Sequence, residues 1–99
     1  MQFSKEYSKL SKKRFTTIRK NTRRYKPEGI YSITTPKQSF KAKVISRVYI
    51  KKEDITDFIA LYDADCSHKW ELIELLDKWY GREFNDFVII TLERMDYAP

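Results

Sequence analysis

The run Phe40-Lys41-Ala42-Lys43-Val44-Ile45-Ser46-Arg47-Val48-Tyr49-Ile50-Lys51 constrains the fold more than any other stretch of the chain. Phe40, Ala42, Val44, Ser46, Val48 and Ile50 alternate with Lys41, Lys43, Ile45, Arg47, Tyr49 and Lys51. Successive side chains of a strand point to opposite faces, so this pattern predicts a long β-strand with a core face and a basic, partly aromatic face. Strands in globular domains usually run about five or six residues. A longer one bends or serves two sheet edges, as in small barrels.

Such a strand needs partners, and the chain offers three. Phe15-Thr16-Thr17-Ile18-Arg19 is rich in β-branched and aromatic residues. Ile30 to Thr35 is a second run, closed by the turn Pro36-Lys37-Gln38. Phe87 to Leu92 is a third, with Val88, Ile90 and Leu92 on one side and Phe87, Ile89 and Thr91 on the other. Helical periodicity occupies the remainder. Phe3, Tyr7 and Leu10 recur at i, i+4 and i+7, which predicts a short basic amphipathic helix. Asp54 is a candidate cap for a helix carrying Ile55, Phe58, Ile59 and Tyr62. Ala64-Asp65-Cys66 breaks it. Ser67 is a candidate cap for a second helix carrying Trp70, Ile73, Leu76 and Tyr80, which stops at Gly81.

The order of helix, three strands, two helices and strand lacks a βαβ rhythm. It predicts one α+β domain over residues 1–99, mostly antiparallel, with helices flanking a small β-barrel. The expected core is Val44, Val48, Ile50, Ile59, Ile73, Leu76, Val88 and Ile90. Hydrophobic residues are 41% of the chain, enough for one compact core.

Charge is unevenly placed. Residues 1–28 hold ten Lys or Arg and two Glu, so the overall net charge of +6 arises entirely in this first quarter. A concentrated basic segment attracts phosphate and releases counterions on binding; it also serves as a solubilising face. No apolar run reaches the roughly 18 residues of a membrane span, and no secretory signal is evident. Cys66 is the sole cysteine, which precludes an internal disulfide and fits a reducing cytoplasm. Cys66 and His68 lack the further Cys or His that a zinc site uses. With two glycines, the chain has no Gly-rich phosphate loop. The residues therefore call for neither a metal nor a cofactor.

A short helix, then Lys13-Arg14-Phe15-Thr16-Thr17-Ile18-Arg19, then Tyr25, a turn at Gly29 and a strand with an Ala-x-Val stretch, resembles the ASCH domain of the PUA-like superfamily. Asp54-Ile55-Thr56-Asp57, Asp65 before a helix start, Trp79-Tyr80-Gly81 at a helix end and the Val88-Ile89-Ile90 strand follow in the same order. The resemblance runs from about residue 3 to 95, and its most specific piece is Thr-Thr-Ile-Arg. It implies a PUA-like β-barrel with a cleft beside the first strand and a role connected with RNA. One branch of the family hydrolyses the acetyl amide of N4-acetylcytidine with a Lys, a Thr and a Glu. By position the Thr falls on Thr17, the Lys on Arg14 with Lys13 one residue earlier, and the Glu on Asp65. Arginine does not deprotonate in a protein, so Arg14 is unable to act as the family's lysine does. A one-residue shift to Lys13 would turn the side chain to the opposite strand face.

Two kinds of site follow. Arg19, Lys20, Arg23, Arg24 and Lys26 form a candidate phosphate-binding loop, with Tyr25 as a ring on which a base stacks. Tyr49 with Lys41, Lys43, Arg47 and Lys51 extends that strip along a sheet face. Lys13 or Arg14, with Thr17 and Asp65, is expected to line one cleft that accepts a base or, in an enzyme, carries the chemistry. The leading expectation is a cytoplasmic RNA-binding module; the alternative is a small hydrolase acting on a modified nucleoside or on RNA. A third reading, an interaction module of an RNA-processing assembly, calls for an exposed apolar patch around Trp79 and Phe84.

Overall fold

The computed structural model describes residues 1–96. Its centre is a four-stranded antiparallel sheet of order β1-β4-β3-β2. The strands are β1 (Arg14–Lys20), β2 (Ile30–Thr34), β3 (Ser39–Ile50) and β4 (Phe87–Arg94). Two helices, α1 (Asp57–Ala64) and α2 (Lys69–Tyr80), stand between β3 and β4 in the chain. Among the described residues no helix is long and apolar enough to cross a membrane.

The long strand does serve two edges. Its first part pairs with β2 from Ser39 to Lys43, and from Ala42 to Ile50 it pairs with β4. Between Val44 and Ser46 the register slips by one residue, leaving Ile45 as a bulge. This slip corrects the expected core. Phe40, Ala42 and Val44 face one core cluster, with Phe15, Val88, Ile90 and Leu92. One extra residue reverses the phase, so Ile50 is buried in the other cluster, against the helices. Val48 is 57% exposed. Ile59 and Ile73 are half-buried, while Val44, Ile50, Leu76, Val88 and Ile90 are buried as expected.

The sheet thus carries a core on each face. Helices α1 and α2 cover one face with Ala60, Ala64, Leu72 and Leu76 over Ile18, Ile50 and Phe87. The other face is closed by the N-terminal segment, which lays Phe3 and Leu10 on Phe15, Ile33 and Leu92. That segment is not the expected helix. Only Ser8–Ser11 forms a single 3-10 turn, and the residues before it are non-helical, with a bridge at Gln2 and a bend at Ser4 and Lys5. Tertiary packing has overridden a marginal helix. Phe3 N–H donates to Thr34 O and Thr34 N–H to Met1 O, each 2.9 Å, adding a short parallel bridge to the free edge of β2. On the other side Arg19 of β1 donates to Gln2 O at 2.8 Å. The two sheet edges approach each other around residues 1–3, yet the strands do not close into a barrel by pairing.

The helix starts differ slightly from the expected ones. Asp54 ends a 3-10 turn, and Thr56 caps α1 by accepting from Ile59 N–H at 3.1 Å. His68, not Ser67, precedes α2, whose Lys69 N–H donates to Asp57 at 2.8 Å. Trp70 lies exposed, and Leu72 and Leu76 form the buried stripe.

Candidate functional site

β1 is an edge strand, and its outer side faces a cleft of about 400 Å³ between the N-terminal segment and α2. Thr17 and Arg19 share one face of β1; Thr16 and Ile18 share the other. Arg19 Nε donates to Thr17 Oγ1 at 3.1 Å, and its guanidinium lies 4.9 Å from the Phe3 ring centre. Trp79 and Tyr80 supply the wall from the last turn of α2.

Two charged side chains sit deepest. Lys9 is 3% exposed and Asp63 5% exposed, and Lys9 Nζ lies 3.4 Å from Asp63 Oδ1. Lys9 comes from the N-terminal 3-10 turn and Asp63 from the end of α1. Thr16 Oγ1 donates to the same carboxylate oxygen at 2.8 Å. The Phe3 and Tyr7 rings each lie 5.1 Å from Nζ. Burial pushes the Lys9 ammonium below the ordinary lysine range, against the pull of Asp63. Burial likewise pushes the Asp63 carboxyl above its ordinary range, against the pull of Lys9 and Thr16. Both shifts disfavour the charged forms, so transfer of the proton from Lys9 to Asp63 costs less here than in water. A neutral amine is a base or nucleophile, and a protonated carboxyl is a donor.

The expected site residues divide. Thr17 and Arg19 line this cleft. Lys13 and Arg14 do not: both side chains are exposed and pair with Glu93, at 3.5 and 3.1 Å. Arg14 and Thr17 are three residues apart on one strand, which puts them on opposite faces. Asp65 lies in a separate hollow of about 220 Å³ with Lys12 and Phe58. It takes the left-handed conformation at the end of α1, φ 56°. Its carboxylate accepts from Ser8 N–H and Ser8 Oγ. Lys9 lines both spaces. The expected grouping of Lys13 or Arg14 with Thr17 and Asp65 is therefore replaced by Lys9, Asp63, Thr17 and Arg19.

One signal for Asp63 was legible. It follows Ile59 by four residues and precedes Ala64, which places it on the inward side of α1. Lys9 had no such signal, because the helical spacing of Phe3, Tyr7 and Leu10 describes a helix that does not form.

The basic loop is exposed and held in place. Lys20, Arg23, Arg24 and Lys26 are exposed, and among the described residues none of them is ion-paired. Arg47 Nη2 donates to Asn21 Oδ1 at 2.6 Å and also to Thr22 O. Lys20 points to the helix side, 5.4 Å from the Phe84 ring. Tyr25 is half-buried, edge-on to Tyr31 at 5.1 Å, so it is not the free ring expected. Phe84 is half-buried and packed against Tyr80 and Phe87, while Trp79 is 52% exposed on the cleft wall. Among the described residues no three His, Cys, Asp or Glu side chains converge on a metal position. No family model, curated protein or solved structure matches the chain.

Proposed function

We propose that this chain is a PUA-like domain of ASCH type that binds RNA, with loop 20–26 on the phosphates and the cleft beside β1 receiving a nucleoside. The observation that carries the reading is the loop itself. Arg23, Arg24 and Lys26 are exposed and, among the described residues, unpaired, and Arg47 tethers the loop next to the strand that bears Arg19. Cations left without acidic partners are what a phosphate chain recruits. The near-approach of the sheet edges around residues 1–3 supports the barrel-like form of the proposal. Titrating single-stranded RNA at several salt concentrations tests it. Arg23→Ala/Arg24→Ala is expected to weaken binding to all sequences alike and to flatten the salt slope by about one to two units, at roughly 0.7 per lost contact. No affinity at low salt, or an unchanged variant, would leave the loop as solubilising charge.

A second reading is favoured by the buried Lys9–Asp63 pair: a small hydrolase of a modified nucleoside. The lysine that the ASCH register denies at position 14 is supplied by Lys9, in the same cleft as Thr17. Lys9, having passed its proton to Asp63, would act as base toward a water or the Thr17 hydroxyl. Arg19 already donates to Thr17 Oγ1, so that hydroxyl's own proton is free to leave. Acetate release from N4-acetylcytidine, abolished in Lys9→Arg, is the expected result. An inert wild type ends this reading without touching the first.

A further inference from the structure

Beyond its bulge, β3 leaves one large ring uncovered. Tyr49 is 74% exposed, the free ring that Tyr25 is not. The phase reversal at Ile45 turns Arg47 and Tyr49 to the face that carries Val88 and Ile90. On that face Tyr49 pairs with Val88 of β4, and Val88 pairs with Arg19 of β1. Neighbouring strands lie about 4.8 Å apart, so Tyr49 and Arg19 stand roughly 10 Å from each other across one row. Arg47 is two residues from Tyr49, about 6.6 Å along the strand.

The basic loop spans the distance between this ring and the cleft. At one end Arg47 holds Asn21 and Thr22. At the other, the Arg24 guanidinium lies 5.4 Å from the Tyr25 ring, which packs with Met1 against the same core cluster as Phe3 at the cleft edge. The pairing of β2 with β3 ends at Lys43, so no strand covers Val48 or Tyr49 from the outer edge. Of the nearby acids, Asp86 accepts from the Asn21 side chain at 3.0 Å and Glu28 pairs with Lys43 at 2.8 Å.

An exposed aromatic ring beside unpaired guanidinium groups fits one class of partner. A base presents its flat face to a side chain only where it is unstacked, which is the state of single strands and loops and not of a duplex. We propose that Tyr49 is the stacking platform for a base of single-stranded RNA whose phosphates run along Arg23 and Arg24. The bound stretch is then longer than the one nucleoside taken by the cleft. This inference rests on the RNA-binding reading and adds a strand-state preference to it.

The test compares wild type, Tyr49→Phe, Tyr49→Ala and Arg23→Ala/Arg24→Ala on an oligoribonucleotide carrying 2-aminopurine, as a single strand and as a duplex. Loss of stacking is expected to weaken single-strand binding about 5- to 160-fold in Tyr49→Ala. The salt slope should stay unchanged, since a ring holds no counterion. Tyr49→Phe keeps the ring and is expected to bind like wild type, with 2-aminopurine quenched in both and bright in Tyr49→Ala. Duplex binding should be indifferent to position 49. If Tyr49→Ala binds as wild type while the double Arg variant is weakened, the platform is wrong and the loop reading stands. Equal losses on duplex and single strand would also overturn the platform. A wild type that binds neither form removes the RNA reading and the platform together.

Discussion

Replacing Lys9 by Met should destabilise the domain far more than replacing Lys9 and Asp63 together. Removing one partner of a buried ion pair leaves the other charge without compensation, a loss of about 3–5 kcal/mol. Lys9 and Asp63 meet that condition, at 3% and 5% exposure. In a domain of this size 1 kcal/mol shifts the melting temperature by about 4–8 °C. A loss of about 3 kcal/mol therefore lowers it by roughly 12–24 °C in Lys9→Met, and similarly in Asp63→Leu. The double variant has no buried charge. Its cost should stay within about 1–2 kcal/mol, mostly from the Thr16 hydroxyl that loses its acceptor. Thermal and urea melts followed by circular dichroism give all four corners of the cycle.

The acid side of the same cycle has a definite sign. In Lys9→Met the Asp63 carboxyl, already raised by burial, loses the largest effect holding it down. The folded state then binds a proton that the unfolded chain, with its ordinary value of 3.8, has released. The variant's stability is full below 3.8 and falls as pH rises through the window up to the raised folded value. Its deficit is smallest near pH 4 and grows toward neutrality. A double variant as unstable as the sum of the singles would refute the coupling, as would a Lys9→Met deficit that shrinks with rising pH.

Two further outcomes test the fold. Leu92→Ala, at a fully buried position, should cost about 2–5 kcal/mol, whereas Val48→Thr should stay within about 0.5 kcal/mol despite lying in the same alternating pattern as Val44; denaturant midpoints decide it. Gly29→Ala brings a Cβ to 2.7 Å from the Tyr31 ring, so it should displace that ring, loosen its contact with Tyr25 and cost about 1–3 kcal/mol, read by melts and near-ultraviolet dichroism.

Much of this fold is written locally. The four strands and two helices lie where alternation and helical spacing place them, because each buries a face that its own residues define. The bulge at Ile45 is not written that way. Phe40 to Ile50 alternates without a break, and the extra residue shows only against β4, whose Leu92 and Thr91 pair with Val44 and Ser46. The site was half legible. Thr17 followed from the Thr-Thr-Ile-Arg piece and lines the cleft, and Arg19, expected on the phosphate-binding loop, lines it as well. Lys9 and Asp63 meet across 54 positions of chain, and no short pattern couples residues so far apart. Arg14 was drawn into the site by register alone, while its side chain is held outside by Glu93.

The last strand in sequence occupies the interior of the sheet, between β1 and β3. Its position sets the order in which a nascent chain is able to assemble. Arg14 meets its cross-strand partner Glu93 only 79 residues later. The earliest partner of β1, Phe87 opposite Lys20, follows 67 residues on, so at about 5–20 residues per second of synthesis the strand waits roughly 3–13 s before any ladder partner exists. During that interval β2 and β3 have each other, but β1 has no strand to pair with. The five Lys and Arg flanking its apolar positions, from Lys12 to Lys20, give that orphan segment the like-charge repulsion that keeps unpaired strands from joining one another.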